Sequence, residues 1–540
     1  MPFRPNLRRS LHAPLAGSAH SLHQPHPVGP IDTKEIASIT VRTRSTGDMA
    51  DLENFVRAQY ARPLARRTYL SKPELAHSHG ASEEDLHVVE RYAQRHDLVV
   101  SDRNAAERKI VLTGTLGHLL DAFPAEAYMF QHPGGAYRGY RGAIHMPREL
   151  AGIVTGIFGF DTKPKSRSPH RQKISVFGGG KGRLSIDFAK RYEFPTVWKG
   201  KKLDGSGQTI ALIELGGGFS HTDLQVYFRE NGLPMPNVVS VGVHHAKDHP
   251  TKHGFADGEV MLDIEVAGAV VPRANIVVYF GSIDGRGFFD TVNAAVHDAA
   301  RNPGVISISW GGPEEYNTPQ MLTACHEVFL GAAAMGVTIC TAAGDHGTAD
   351  LNSAAWDGRI HVDHPSADDL VLSCGGTQVN AKGEDVVWND GDPFGTGPGG
   401  GGWAGGGGIS RLFPVPFYQK TASVPVSVDT HNPGRGVPDV AMSATDYHVR
   451  VHGLEMASGG TSAVAPLMSA LVCRLNQAKG KNVGFLNPFL YANAHRGITK
   501  DVTKGSNAIP KTVPGYEAVQ GWDACSGLGT TLGLRILKLL

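Results

Sequence analysis

No run of apolar residues in this 540-residue chain reaches the ~20 needed to cross a bilayer, so no membrane-spanning helix is expected. Charge of neither sign is in excess: 52 Lys and Arg face 51 Asp and Glu, for a net charge of +1. With no concentrated basic block, the chain is not built for a polyanion, and nucleic-acid partners are set aside. Cysteine is scarce. Cys325, Cys340, Cys374, Cys473 and Cys525 are odd in number and widely spaced. They match neither a metal-ligand spacing nor a disulfide framework, and are expected as small buried hydrophobes. The first 30 residues carry Arg8-Arg9 but no continuous apolar stretch, so no ordinary secretory signal is recognisable.

The chain has length and glycine. It is too long for one ordinary core, so two or more domains are expected, and 67 glycines point to tight turns and loops rather than a helical bundle. Residues 1–35, rich in Pro, His and Ser, read as a disordered leader. Residues 36–160 alternate strand and helix patterns. Ala37–Thr43 reads as a strand and Met49–Ala61 as a helix, its stripe running through Leu52, Phe55, Val56 and Tyr60. A second helix is capped at Ser82, two strands cover Leu98–Ser101 and Lys109–Thr113, and a short helix follows at Leu116–Phe123. The pattern is that of a small α+β domain. Residues 161–183 turn to Lys, Arg, Ser, Pro and Gly, which marks a linker open to proteolysis.

From 184 to 540 the pattern is glycine-rich α/β. Short apolar strands are expected at Thr209–Ile213, Asn275–Phe280, Gly304–Ser309 and Val337–Thr341, with helices between them. That pattern suits a parallel sheet covered on both faces. Glu214, Trp310 and Asp345 each follow a strand end, where ligands collect in such sheets. Gly395–Gly408 reads as a flexible surface loop.

Two stretches carry chemistry. In Gly459-Gly460-Thr461-Ser462-Ala-Val-Ala-Pro466, glycines precede a Ser at the opening of a helix, where the hydroxyl is not crowded by a preceding turn. In Asp257-Gly-Glu259-Val-Met-Leu-Asp263-Ile-Glu265, Glu259 and Asp263 stand at i and i+4 and share one helix face, while Glu265 falls well round it. Like charges held that close raise one of the two pKa values.

Taken in order, Glu259-Val-Met-Leu-Asp263, Ser307-Ile-Ser-Trp310-Gly-Gly-Pro, Ala342-Ala-Gly-Asp345 and Gly460-Thr-Ser462-Ala-Val-Ala-Pro466 resemble the sedolisins, the serine-carboxyl peptidases, in their kumamolisin-like branch. The resemblance covers roughly residues 184–540, and the region before it resembles that family's propeptide. It implies a subtilisin-like parallel sheet with helices on both faces, preceded by a smaller α+β (ferredoxin-like) prodomain. It also implies an acid-acting serine-type endopeptidase made as a zymogen and self-activated at low pH. Ser462 would be the nucleophile, Glu259 the base, Asp263 its support and Asp345 the oxyanion-hole residue, with Glu214 and Trp310 extending the network and Asp363 in the pocket for a basic P1 side chain. One Ca²⁺ is implied, held by side-chain oxygens of Asp501 and Asp523 and carbonyls of Val502, Val519 and Gly521. Val519 stands where relatives carry Gly. The implied protein is an extracellular monomer acting on proteins or peptides, with its own propeptide as inhibitor.

Two rival readings stay open at this point. A subtilisin-type Ser-His-Asp peptidase needs a His-Gly-Thr helix, and His253-Gly254 continues as Phe-Ala instead. A non-catalytic sedolisin-like binding module would not need all four of these side chains.

Overall fold

The computed structural model describes residues 12–20, 26–132, 135–164, 171–173, 181–251, 255–351, 357–391, 403–509 and 513–540. The N-terminal part is built on strands β1 (Ile36–Thr43), β2 (Val99–Asn104), β3 (Lys109–Thr115) and β4 (Val154–Phe158). They form an antiparallel sheet in the order β2-β3-β1-β4. Helices α1 (Met49–Tyr60) and α2 (Glu83–Gln94) lie between β1 and β2, and α3 (Leu116–Ala122) follows β3. This is the split β-α-β arrangement of a ferredoxin-like fold. A hairpin, Glu126–His132 with Gly135–Arg141, is inserted before β4.

Alternation along β1 decides how this part is used. Ile39 and Val41 point into its own core with Leu86, Val89, Ile110 and Leu112. Thr40 and Arg42 turn the other way, toward the large domain. Arg42 and Arg108 both reach Glu327, at 2.8 and 2.7 Å, and Thr40 donates to Asp290 at 2.7 Å. The expected stripe of α1 also faces that way, with Leu52, Val56 and Tyr60 buried in the core of the large domain.

Two expectations are corrected here. The leader is not disordered throughout: His12–Pro14 pairs with His145–Pro147 and Pro27–Gly29 with the inserted hairpin. Leu15 and Ile31 supply buried apolar anchors, and Tyr140 donates to the Ser18 carbonyl. Residues 1–11 and 21–25 lie outside the described residues. The glycine stretch is not surface loop at its described end either, since Gly405–Gly408 are buried. Gly406 donates to the Gly344 carbonyl at 2.7 Å, and a Cβ there would stand 2.0 Å from the Ala343 carbonyl oxygen. Glycine serves close backbone approach at that point, not flexibility.

The large domain carries parallel strands β5 (Thr209–Glu214), β6 (Asn237–Gly242), β7 (Asn275–Phe280), β8 (Val305–Ile308), β9 (Thr338–Ala342), β10 (Leu372–Val379), β11 (Val440–Ser443) and β12 (Thr530–Thr531). They run in the order β6-β7-β5-β8-β9-β10-β11-β12. The four strands expected from sequence are β5, β7, β8 and β9, all of them largely buried. Helices α4 (Phe255–Val270), α5 (Gly285–His297), α6 (Pro319–Ala334) and α7 (Thr461–Lys479) cover the sheet. All five cysteines are free and buried. Among the described residues no helix is long and apolar enough to cross a membrane.

Candidate active site

Helices α4 and α7 pack against each other on the sheet and bring the two chemical stretches together. Helix α7 opens at Gly460, whose φ of +127° and ψ of 165° suit glycine, so Ser462 is the second helical residue. Pro466 sits four residues further on. Having no N–H, it cannot bond the Ser462 carbonyl as a helix normally would. The Ser309 hydroxyl lies 3.3 Å from that carbonyl and shares its one proton between it and Asp263. The same hydroxyl donates to Asp263 Oδ2 at 2.8 Å, and Ser462 Oγ donates to the Ser309 carbonyl at 3.5 Å. Ser309 thus ties the Ser helix to the acid helix.

Glu214 ends β5, and its Oε2 accepts from Trp310 Nε1 at 2.9 Å. Glu214, Glu259 and Asp263 are fully buried. Burial, and then the Glu259 charge, push Glu214 well above the usual carboxylate range, and Trp310 opposes this. Asp263 is pushed well up by burial, Glu214 and Glu259, against the Ser309 hydrogen bond. Three carboxyl groups therefore share fewer than three charges, and they titrate as a set.

Asp345 reaches the site from the other side. It follows β9 after Gly344, whose φ is +100°. Its Oδ1 accepts from the Thr461 N–H at 2.7 Å and the Thr461 hydroxyl at 2.6 Å, which fixes its carboxyl beside Ser462. Asp363 lies in the same acidic corner with Asp350. Burial, then Asp350 and Asp345, push Asp363 well up, and a Cβ on Gly311 would stand 2.2 Å from its Oδ1.

Glu265 turns away from this set, as its helical position requires. Its Oε2 accepts from the Arg450 N–H at 2.9 Å, and burial pushes its pKa well up. The folded chain therefore keeps a proton that the unfolded chain gives up, so stability from this group is full at low pH and falls as pH rises past ~4.3. Glu265→Gln is expected to lessen that fall, by at most ~1.4 kcal/mol per pH unit. Urea unfolding of the full chain at pH 5, 6 and 7, in a Ser462→Ala background, reads the change in slope.

Of the residues expected from sequence, Ser462, Asp263, Asp345, Glu214 and Trp310 are joined by hydrogen bonds to residues of the same site, and Glu259 meets Glu214 and Asp263 electrostatically. Ser309 and Thr461 were missed as linking groups, although both lie inside motifs that the sequence displays. Among the described residues no His is hydrogen-bonded to Ser462, and His253 of the subtilisin-type rival lies outside them.

Of the second predicted cluster, two pairs are in contact: Asp501 with Gly521 and Asp523 with Val519. Asp501 Oδ2 accepts from the Gly521 N–H at 2.8 Å and Asp523 Oδ2 from the Val519 N–H at 3.3 Å. Gly521 has φ +95°, whereas Val519 is not in the left-handed region, so a β-branched residue is tolerated there. Burial drives Asp523 up to about 6, and among the described residues neither carboxylate pairs with Lys or Arg. The donors are all oxygen, two of them carboxylates, and that set fits a Ca²⁺ ion.

The family model of the pro-kumamolisin activation domain matches residues 25–163. Kumamolisin of Bacillus sp. (strain MN-32) is 42% identical over 531 residues, covering 95% of this chain and 93% of that protein. Tripeptidyl-peptidase sed5 of Aspergillus fumigatus is 26% identical over 98% of this chain and 97% of its own length. Among solved structures, Pseudomonas sedolisin, a serine-carboxyl proteinase in complex with pseudo-iodotyrostatin, superposes with a TM-score of 0.56 at 26% identity. It covers 67% of this chain and 98% of the sedolisin chain.

Proposed function

The chain belongs to the sedolisin family of serine-carboxyl peptidases and carries its activation domain, and on that premise we propose an acid-acting endopeptidase in which Ser462 attacks the peptide carbonyl. A serine hydroxyl needs a base to become a nucleophile. Glu259 takes its proton and later returns it to the leaving amine, and Asp263 holds Glu259 in place and shares its charge. A carboxylate base works at a pH where imidazole would already be protonated. Asp345, when protonated, donates to the developing oxyanion. Glu214 and Trp310 extend the network behind the acids. Asp363 reads P1: a basic side chain would bring the counter-charge that lets this buried acid ionise.

The observation that carries this reading is the pair of ties to the Ser462 helix, Asp345 through Thr461 and Asp263 through Ser309. The site needs one carboxyl ionised and another neutral together, so kcat against pH is expected to be bell-shaped, with its maximum well below neutrality. Peptide hydrolysis followed from pH 2 to 9 tests this, and a maximum at neutral or alkaline pH would overturn it. Such an enzyme suits an acidic medium outside the cell.

For the zymogen we assign residues 36–160 as the inhibitory domain and 161–183 as the linker cut at low pH. Support comes from Arg171–Lys173, which pairs antiparallel with Leu454–Gly459, Arg171 opposite Gly459, three residues before Ser462. N-terminal sequencing before and after incubation at pH 4 locates the cut, and an active preparation that retains the full-length chain would refute it.

We also assign one Ca²⁺ to Asp501, Val502, Val519, Gly521 and Asp523. When bound, the ion supplies positive charge to two carboxylates and cross-links two loops. Calcium at 100 times its Kd is expected to stabilise the fold by ~2.7 kcal/mol. Thermal unfolding with calcium and with chelator should show that gap, and Asp523→Asn should close it.

A further inference from the structure

Beside the strand that leads into Ser462 lies a cavity of about 240 Å³ that the reaction above does not use. The strand residues Ala457–Gly459 form one wall, and Asp446, Asp390 and Gln378 contribute its polar groups. Its end at Ala444 is anchored near the nucleophile, because the Gly460 N–H donates to the Ala444 carbonyl at 2.7 Å.

The direction of the chain here says what passes by. Residues 457–459 run toward Ser462, so an antiparallel partner runs away from it. The chain's own linker takes this position, with Arg171, Gln172 and Lys173 opposite Gly459, Ser458 and Ala457. A chain bound in this way has already passed the nucleophile, so the residues paired there follow the scissile bond.

The chemistry of the wall is one-sided. Asp390 and Asp446 are exposed carboxylates at the rim, and among the described residues no Lys, Arg or His lines the cavity. Asp446 is held at φ +71°, uncommon for a non-glycine residue, and its carbonyl accepts from the Arg183 N–H at 2.7 Å. The turn presenting it is therefore fixed. The Arg183 side chain lies 3.2 Å from Asp446 Oδ2, but both side chains are about half exposed, and such a pair is weak. The cavity can take one long side chain. The linker that pairs with its wall reads Arg171-Gln172-Lys173, which matches the wall in charge.

The geometry points to a subsite on the C-terminal side of the cleaved bond, where Asp446 and Asp390 select a Lys or Arg side chain of the substrate. This inference rests on Ser462 being the nucleophile.

A competition experiment tests it. Acid-treated enzyme is given, at pH 5, a mixture of peptides that share one cleavable sequence. They differ in carrying Arg, Gln or Glu at each of the first four positions after the cut, and mass spectrometry reads the products. Arg is expected to outrun Glu by roughly tenfold at one position, a difference of ~1.4 kcal/mol. In the Asp446→Asn, Asp390→Asn double variant the ratio should fall close to one. In Asp446→Lys it should invert. Because the ratio comes from internal competition, it does not depend on how much of each variant folds. A ratio near one at all four positions in the unmodified enzyme overturns the inference, as does a preference that both variants retain. Ser462→Ala run in parallel separates the two readings: cleavage that persists there refutes the nucleophile assignment, whatever the selectivity.

Discussion

Ser462→Ala is expected to lower peptide cleavage by ~10⁴-fold or more while leaving the fold intact. The hydroxyl contributes little to stability, since its one described bond, to the Ser309 carbonyl, is 3.5 Å long, at the limit of a useful hydrogen bond. The ties that hold the helix start use the Thr461 side chain and the Ser462 carbonyl instead, and alanine keeps both. Thermal unfolding should therefore move by less than ~1 kcal/mol, with the full-length chain persisting at pH 4. Single-turnover hydrolysis of a peptide measures the loss, and residual activity within tenfold of the unmodified protein would remove Ser462 from the mechanism. A non-catalytic module, by contrast, would show no hydrolysis to lose.

Much of this site could be read from the chain before its fold was known, and the reasons are local. Strands β5, β7, β8 and β9 are buried on both faces and read as continuous apolar runs. The i, i+4 spacing of Glu259 and Asp263 places both on one face of any helix. Strand β6 did not stand out, because it lies at a sheet edge and only Val238 in it is buried. The hairpin Tyr447–Val451 with Leu454–Gly459 was also missed, although it forms the wall along which the linker runs. Its signal is pairing between strands, which no single window contains. Gly405–Gly408 misled for a related reason. Composition cannot separate a glycine needed for freedom from one needed for closeness, and here the Ala343 carbonyl decides. Ser309 was visible as a motif letter but not as a link, because its partner is the Ser462 carbonyl, left unbonded by Pro466 and 153 residues away in the chain.

Asp345 offers the sharpest test of an all-carboxylate mechanism. Its Oδ1 already accepts two hydrogen bonds from Thr461, so a proton carried by this group belongs on Oδ2. Asp345→Ala removes the donor, and kcat is expected to fall ~10²–10³-fold with KM little changed, the signature of an interaction made in the transition state. Asp345→Asn acts differently. The amide oxygen can keep both Thr461 bonds, and the amide N–H₂ then occupies the place of the Oδ2 proton. An amide donates at every pH, whereas a carboxyl donates only while protonated. The alkaline limb of the kcat profile should therefore flatten in Asp345→Asn, while the acidic limb, set by ionisation of Glu259, stays where it was. Profiles of the two variants measured side by side separate donor from charge. A bell of unchanged width in Asp345→Asn would mean that another group loses its proton on the alkaline side, and Asp345 would then serve only to position Thr461.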